Sequence, residues 1–146
     1  ISKEMMQILL VFVLQLASLK ANYAPFTLVA DIKCPLGIED SVTVQLKEDD
    51  AGLDDIVTDE VAIAYLPKEG VTIELSGHVM ESIFERKFEP YLLAKTTCNE
   101  QRESRYVCFP FGGIPYMGNF RRVTLQREID LSQGTIKGCS KADLDI

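Results

Sequence analysis

The sequence predicts an all-β fold, an antiparallel β-sandwich of seven or eight short strands preceded by a cleaved signal peptide. Three observations lead there. Short runs of alternating or β-branched residues recur between turn signals from residue 26 onward. The first two dozen residues carry the layout of an export signal. Four cysteines, all beyond that signal, form the even set that a small exported domain uses for disulfides. With 146 residues, 47% of them apolar, the chain is sized for one hydrophobic core. The expected division is a signal peptide over residues 1–24, a sandwich domain over 25–131 and a polar tail over 132–146.

At the N-terminus, Lys3 leads into Met5 and Met6, the run ILLVFVLQL follows over residues 8–16, and the small residues Ala17, Ser18, Ala21 and Ala24 come next. A bilayer span needs about 20 apolar residues, and this run is roughly half that before Lys20 interrupts it. The pattern therefore reads as a signal peptide with translation starting at Met5 or Met6, Ile1 to Glu4 as an upstream remnant, and cleavage after Ala21 or Ala24. Pro25, directly after the second site, would hinder the peptidase there.

The first strand is expected over 26–33 (FTLVADIK). Residues 41–47 (SVTVQLK) alternate cleanly, with Val42, Val44 and Leu46 on the core face. Further strands are expected over 56–58, 61–66, 71–75, 91–97 and 105–109, then over 120–125 with a continuation to 131. Their spacing is that of a sandwich. Pro67 to Gly70, Ser76-Gly77 and the Gly- and Pro-containing stretch 112–118 supply the turns. Residues 77–88 read as a short helix, with Val79, Met80, Ile83 and Phe84 on one face, or as loop. Cys139 is placed to tie down the polar tail.

The chemistry-bearing residues follow from export. Cys34, Cys98, Cys108 and Cys139 are disulfide candidates with three pairings open. Close Cys or His pairs of the zinc-binding kind are missing from the sequence, and no Asn-x-Ser/Thr acceptor is present. Seven carboxylates crowd residues 48–60, so Asp49, Asp50, Asp54, Asp55 and Asp59 are candidate calcium ligands, against the simpler reading of a solvated acidic loop. Beyond that, no cofactor is expected.

Charge is uneven. Residues 25–81 carry 3 basic and 13 acidic side chains, whereas residues 82–146 carry 10 and 8. Arg102, Arg105, Arg121 and Arg127 are candidate contacts for an anionic partner, Arg122 pointing to the opposite face of a regular strand from Arg121. The net charge of -7 argues against nucleic acid. Phe109, Phe111, Ile114, Tyr116 and Met117 sit among glycines and prolines, as a core plug or an apolar contact loop, and Tyr91 is expected in the core.

Several of these elements, in order, resemble the nematode transthyretin-like family: Ile32-Lys33-Cys34, the alternating strand leading into Glu48-Asp49-Asp50, Leu53-Asp54-Asp55, Thr58-Asp59, Leu75-Ser76-Gly77, Glu89-Pro90-Tyr91-Leu92 and Cys98-Asn99. The resemblance covers residues 26–108. Thr96-Thr97 stand where the family has His-Asp before the CN pair. The resemblance implies a transthyretin-like β-sandwich in the extracellular space, without an established catalytic activity. A hydrolase relative of that fold needs several histidines and a YRGS-type terminus, whereas this chain has the single histidine His78, read as lying in a turn, and ends in ADLDI.

The expected function is thus a secreted interaction module that contacts a cell-surface protein or an anionic lipid. A carrier of a small apolar ligand is the alternative, and a hydrolase a distant third.

Overall fold

Along β1 (Asn22–Lys33) the alternation in sequence becomes alternation in burial: Phe26, Leu28, Ala30 and Ile32 are buried in the core, and Lys33 on the other face is exposed. The computed structural model describes residues 1–18, 22–49, 55–81, 87–115 and 122–139. Before β1 runs α1 (Lys3–Ser18), an apolar helix opened by Ser2, whose hydroxyl accepts from the Met5 amide at 3.2 Å. Met5, Met6 and every residue from Ile8 to Val13 are exposed on it. Among the described residues, no helix is long and apolar enough to cross a membrane.

Among the described residues nine more strands follow: β2 (Val42–Glu48), β3 (Asp55–Ile56), β4 (Val61–Ile63), β5 (Val71–Glu81), β6 (Lys87–Phe88), β7 (Pro90–Thr96), β8 (Arg105–Pro110), β9 (Ile114–Pro115) and β10 (Val123–Asp130). One sheet has the order β10-β1-β5. The second runs β3-β2-β7-β8, with β4 also on β2, and β6 pairs with β9 in a small ribbon. The all-β expectation holds, and each of the eight expected segments overlaps a strand, the segment 56–58 at Ile56 alone.

Three details differ. The pairing of β1 with β10 is parallel, from Phe26↔Val123 to Lys33↔Asp130, so the fold is not purely antiparallel. Inward-outward alternation is the same for either direction, which is why direction was not visible in the residues. Second, β5 does not stop at Leu75 but pairs with β1 as far as Glu81, so Ser76-Gly77 is strand interior, not a turn, His78 is on a strand, and residues 77–81 are not helical. Third, the segment expected to reach Thr58 ends in a bulge where Val57 and Thr58 both donate their amides to the Leu46 carbonyl, at 3.0 and 3.1 Å. Thr58 Oγ1 accepts the Leu46 amide in turn, at 3.1 Å.

That bulge explains Gly77. Gly77 pairs with the inward-facing Phe26, and a Cβ on it would lie 1.8 Å from the Val57 carbonyl oxygen. The backbone of one sheet presses into the space that the missing side chain leaves in the other. At Gly70 the turn itself is the reason: its amide donates to Pro67 O at 2.9 Å and its φ is 88°.

The inner faces meet in one core, in which Phe26 and Phe88 pack edge to face with ring centroids 6.0 Å apart. Each such fully buried side chain contributes about 2 kcal/mol in area removed from water. Phe109, Phe111 and Ile114 are half-buried against this core, as a plug would be. Tyr116 and Met117 lie outside the described residues.

A second cluster lies on the other face of β7 and β8, where Tyr91, Leu93 and Cys108 are buried beneath Tyr106 and Cys139. The segment expected as a polar tail covers this region as far as Cys139. It forms single 3-10 turns at Leu131–Gln133 and Ile136–Gly138, the first capped by the Asp130 carboxylate accepting from the Ser132 amide at 3.0 Å. Thr135 then exchanges backbone hydrogen bonds with Cys108 at 3.1 and 3.3 Å, which covers the free edge of β8.

Candidate functional site

The four cysteines pair as Cys34–Cys98 and Cys108–Cys139, closing two loops that do not overlap. With partners 64 and 31 positions apart in sequence, the chain-entropy model assigns about 4 kcal/mol of stabilisation to each. The second holds the cover over β8. The first clamps an end of the sandwich, where β1 runs out and the β7–β8 connection turns.

Around Cys34–Cys98 a buried carboxylate organises the loops. Glu39 forms an antiparallel bridge with Leu66, and its side chain is turned wholly inside. Glu39 Oε2 accepts from the Thr97 amide at 3.2 Å and from the Thr97 hydroxyl, while Arg102 Nη1 lies 3.0 Å from Glu39 Oε1. The same guanidinium donates to the Ile38 carbonyl at 2.8 Å and touches Cys34 Sγ at 3.7 Å. Arg102 reaches this position from a left-handed backbone, φ 54°, at the end of a turn closed by its amide on Asn99 O at 3.0 Å. Asn99 completes the loop by donating to Glu103 O at 2.7 Å and accepting from the Glu103 amide at 3.2 Å.

This explains the Cys-Asn pair physically: the cysteine anchors the connection to β1, and the asparagine shapes the turn that aims Arg102 at Glu39. A buried carboxylate paired in this way costs little only while its partners stay in place, so it fixes loop geometry.

Outside this network the loops present apolar groups to solvent. Leu36 and Ile38 are each 49% exposed and Tyr65 is 57% exposed. Ile38 and Tyr65 flank the Glu39↔Leu66 bridge as diagonal neighbours on the face opposite the buried pair, about 7–8 Å apart.

No protein-family model and no curated protein matches this chain. Its function has to be argued from these residues.

Of the predicted contact arginines, the structure sets Arg127 apart from Arg105. Arg102 is committed to Glu39 and Ile38, and Arg105 lies 3.0 Å from Glu103 and bonds Gln101 at 3.3 Å. Arg127 rests over the Phe111 ring at 5.9 Å. Arg105 opens β8 and Phe111 follows its end, so those two sites are separated by roughly 20 Å of strand. Arg121 lies outside the described residues.

Of the candidate calcium ligands, Asp50 and Asp54 also lie outside. Asp49 is exposed, with its amide on Glu89 O at 3.0 Å; Asp55 pairs with Glu48 in β3, and Asp59 is exposed past the bulge. Among the described residues, the one group of metal-ligand atoms within 4.8 Å of one another is Cys34, Glu39 and Cys98, whose sulfurs are spent in a disulfide.

Glu39 and Thr97 were not predicted. Glu39 sits in a loop sequence, PLGIED, that reads as solvated, and nothing local marks the one carboxylate that turns inward. In the sequence Thr97 stands out only as one of the two residues that replace the His-Asp of the transthyretin-like pattern.

Proposed function

We propose that the chain is a secreted, transthyretin-like interaction module that acts by contact rather than catalysis, with a cell-surface protein as its partner and the disulfide-clamped loop end as its contact surface. One observation carries this reading: Leu36, Ile38 and Tyr65 are exposed together on loops held by Cys34–Cys98 and by the buried Glu39–Arg102 pair. Exposed aromatic and aliphatic groups on a pre-organised backbone bind with little loss of conformational entropy. The apolar helix α1, ending a few residues before β1, supports export as the route by which the disulfides form. The ordered motifs support the transthyretin-like reading, since Cys34, Thr58, Gly77 and Cys98-Asn99 each have a structural task in this sandwich.

The apolar-carrier alternative has less support. The cavity of about 260 Å³ on the outer face of the β10-β1-β5 sheet is lined by Asp31, Lys33, Glu69 and Glu128, a surface for polar groups.

The test is binding of labelled secreted protein to nematode cells, compared with binding of the triple variant Leu36→Asp, Ile38→Asp, Tyr65→Asp. Saturable binding that surface proteolysis abolishes and the variant lacks is the expected result. Equal binding by the variant, or cell binding that surface proteolysis leaves intact, would overturn it.

A further inference from the structure

Far from the clamped loops, near the N-terminal end of β1, the outer face of the β10-β1-β5 sheet holds a cleft of about 200 Å³ whose lining includes Pro25, Thr27, Ser76, His78 and Arg122. We propose that this cleft binds a phosphate monoester.

The strand register builds it. His78 lies opposite Pro25 on β5, and Arg122 is the residue before Val123, the partner of Phe26 on β10, so it flanks Pro25 from the other side. His78 and Arg122 thus stand two strand spacings apart, roughly 10 Å between their Cα atoms. One tetrahedral oxyanion between an imidazole and a guanidinium fork spans that distance.

The next row on the same face is Ser76, Thr27 and Thr124. The Ser76 and Thr27 hydroxyls lie 3.0 Å apart, and Thr27 is only 8% exposed, so two hydroxyls form the floor of the cleft. The Pro25 ring supplies an apolar wall for the ester carbon. Among the described residues lining the cleft none is acidic, although residues 25–81, which supply all of them but Arg122, are strongly so.

Size selection follows from what lies beyond. The rows after Thr27 place Glu74 opposite Val29, then Asp31 beside Glu128. The Glu74 carboxylate already reaches Ser76 Oγ at 3.4 Å. A single phosphate group between His78 and Arg122 meets at most the Glu74 carboxylate at the edge of the floor, whereas a long polyanion laid along the face would also meet Asp31 and Glu128. The site is independent of the proposed protein contact, because about nine residues of β1, roughly 30 Å, separate Pro25 from Cys34.

The phosphate could be carried by a small soluble ester or by a lipid headgroup, and one experiment distinguishes them. The full secreted chain, isotope-labelled, is titrated with glycerol 3-phosphate and, separately, with phosphatidylcholine vesicles containing phosphatidic acid, while backbone amide resonances are followed. Saturable shifts at Thr27, Ser76 to His78 and Arg122 to Thr124 are expected. Arg122→Ala should weaken binding about ten-fold and His78→Ala by a smaller factor, as for loss of charge-assisted hydrogen bonds. Arg105→Ala, at the distant start of β8, should change nothing. A response to the soluble ester assigns a free ligand, and a response to vesicles alone that Arg122→Ala removes assigns a headgroup. Absence of saturation with both probes, or binding that survives Arg122→Ala and His78→Ala unchanged, overturns the proposal.

Discussion

The Glu39–Arg102 pair predicts a coupling that a double-mutant cycle can measure. At 3.0 Å and an effective dielectric constant of 20, the gross attraction between the two charges is about 5 kcal/mol. The Arg102 side chain is 40% exposed while Glu39 is fully buried, so water screens one partner and the recoverable coupling falls to about 2 kcal/mol. Arg102→Ala leaves the Glu39 charge inside with only the Thr97 donors and should cost about 3 kcal/mol. Glu39→Gln retains an acceptor for Thr97 and removes the charge, at about 2 kcal/mol. The double variant should lose about 3 kcal/mol rather than the sum of the two. Urea denaturation of the disulfide-intact protein, followed by circular dichroism, is the assay. With an m-value of about 2 kcal/mol/M, Arg102→Ala moves the midpoint down by about 1.5 M. Coupling below about 0.5 kcal/mol would refute the view that this pair holds the loop end together.

Other positions give independent checks. Gly77→Ala should cost at least about 3 kcal/mol in the same assay, because its methyl meets the Val57 carbonyl. Gly112→Ala, with open space around it but a φ of 78°, should cost only about 1 kcal/mol. Phe88→Ala removes the edge-on partner of Phe26 and should cost about 3–5 kcal/mol by thermal or chemical denaturation. Replacing Cys108 and Cys139 together by Ser should free the segment after Asp130 to early proteolysis while β1 and β2 amides keep their hydrogen-exchange protection, since that bridge ties down only the cover of β8.

Much of this architecture was legible wherever burial follows a simple period. Val42, Val44 and Leu46 alternate in sequence and are buried on one side of β2, and Phe26 to Ile32 do the same in β1. The signals failed where a residue type has two physical uses. Gly77 beside Ser76 resembles a turn, yet the glycine is there because a carbonyl from the opposite sheet needs the space. Glu39 resembles a loop acid, and only the three-dimensional meeting of Thr97 and Arg102 makes its burial tolerable. The uneven charge of residues 82–146 does not tell where its arginines stand, and only the fold shows that β8 sets Arg105 and the Phe111 contact of Arg127 at opposite ends. The His78 and Arg122 cleft arises from strand register, which a linear reading does not contain.

The parallel pairing of β1 with β10 also has a meaning for how the protein is made. Phe26 is synthesised well before Val123, so until the C-terminal strand is made the long first strand has β5 on one side and a bare edge on the other. The Cys34–Cys98 bond becomes available as soon as Cys98, just after β7, has been made, before β10 exists, and can hold the two sheets in register while that edge waits. Chain closure is then a late docking of the C-terminal strand into a prepared slot. A ribosome stalled before residue 123 would leave a disulfide-bonded intermediate with one unfilled strand position, the species in this pathway most open to chaperones and to edge-to-edge association.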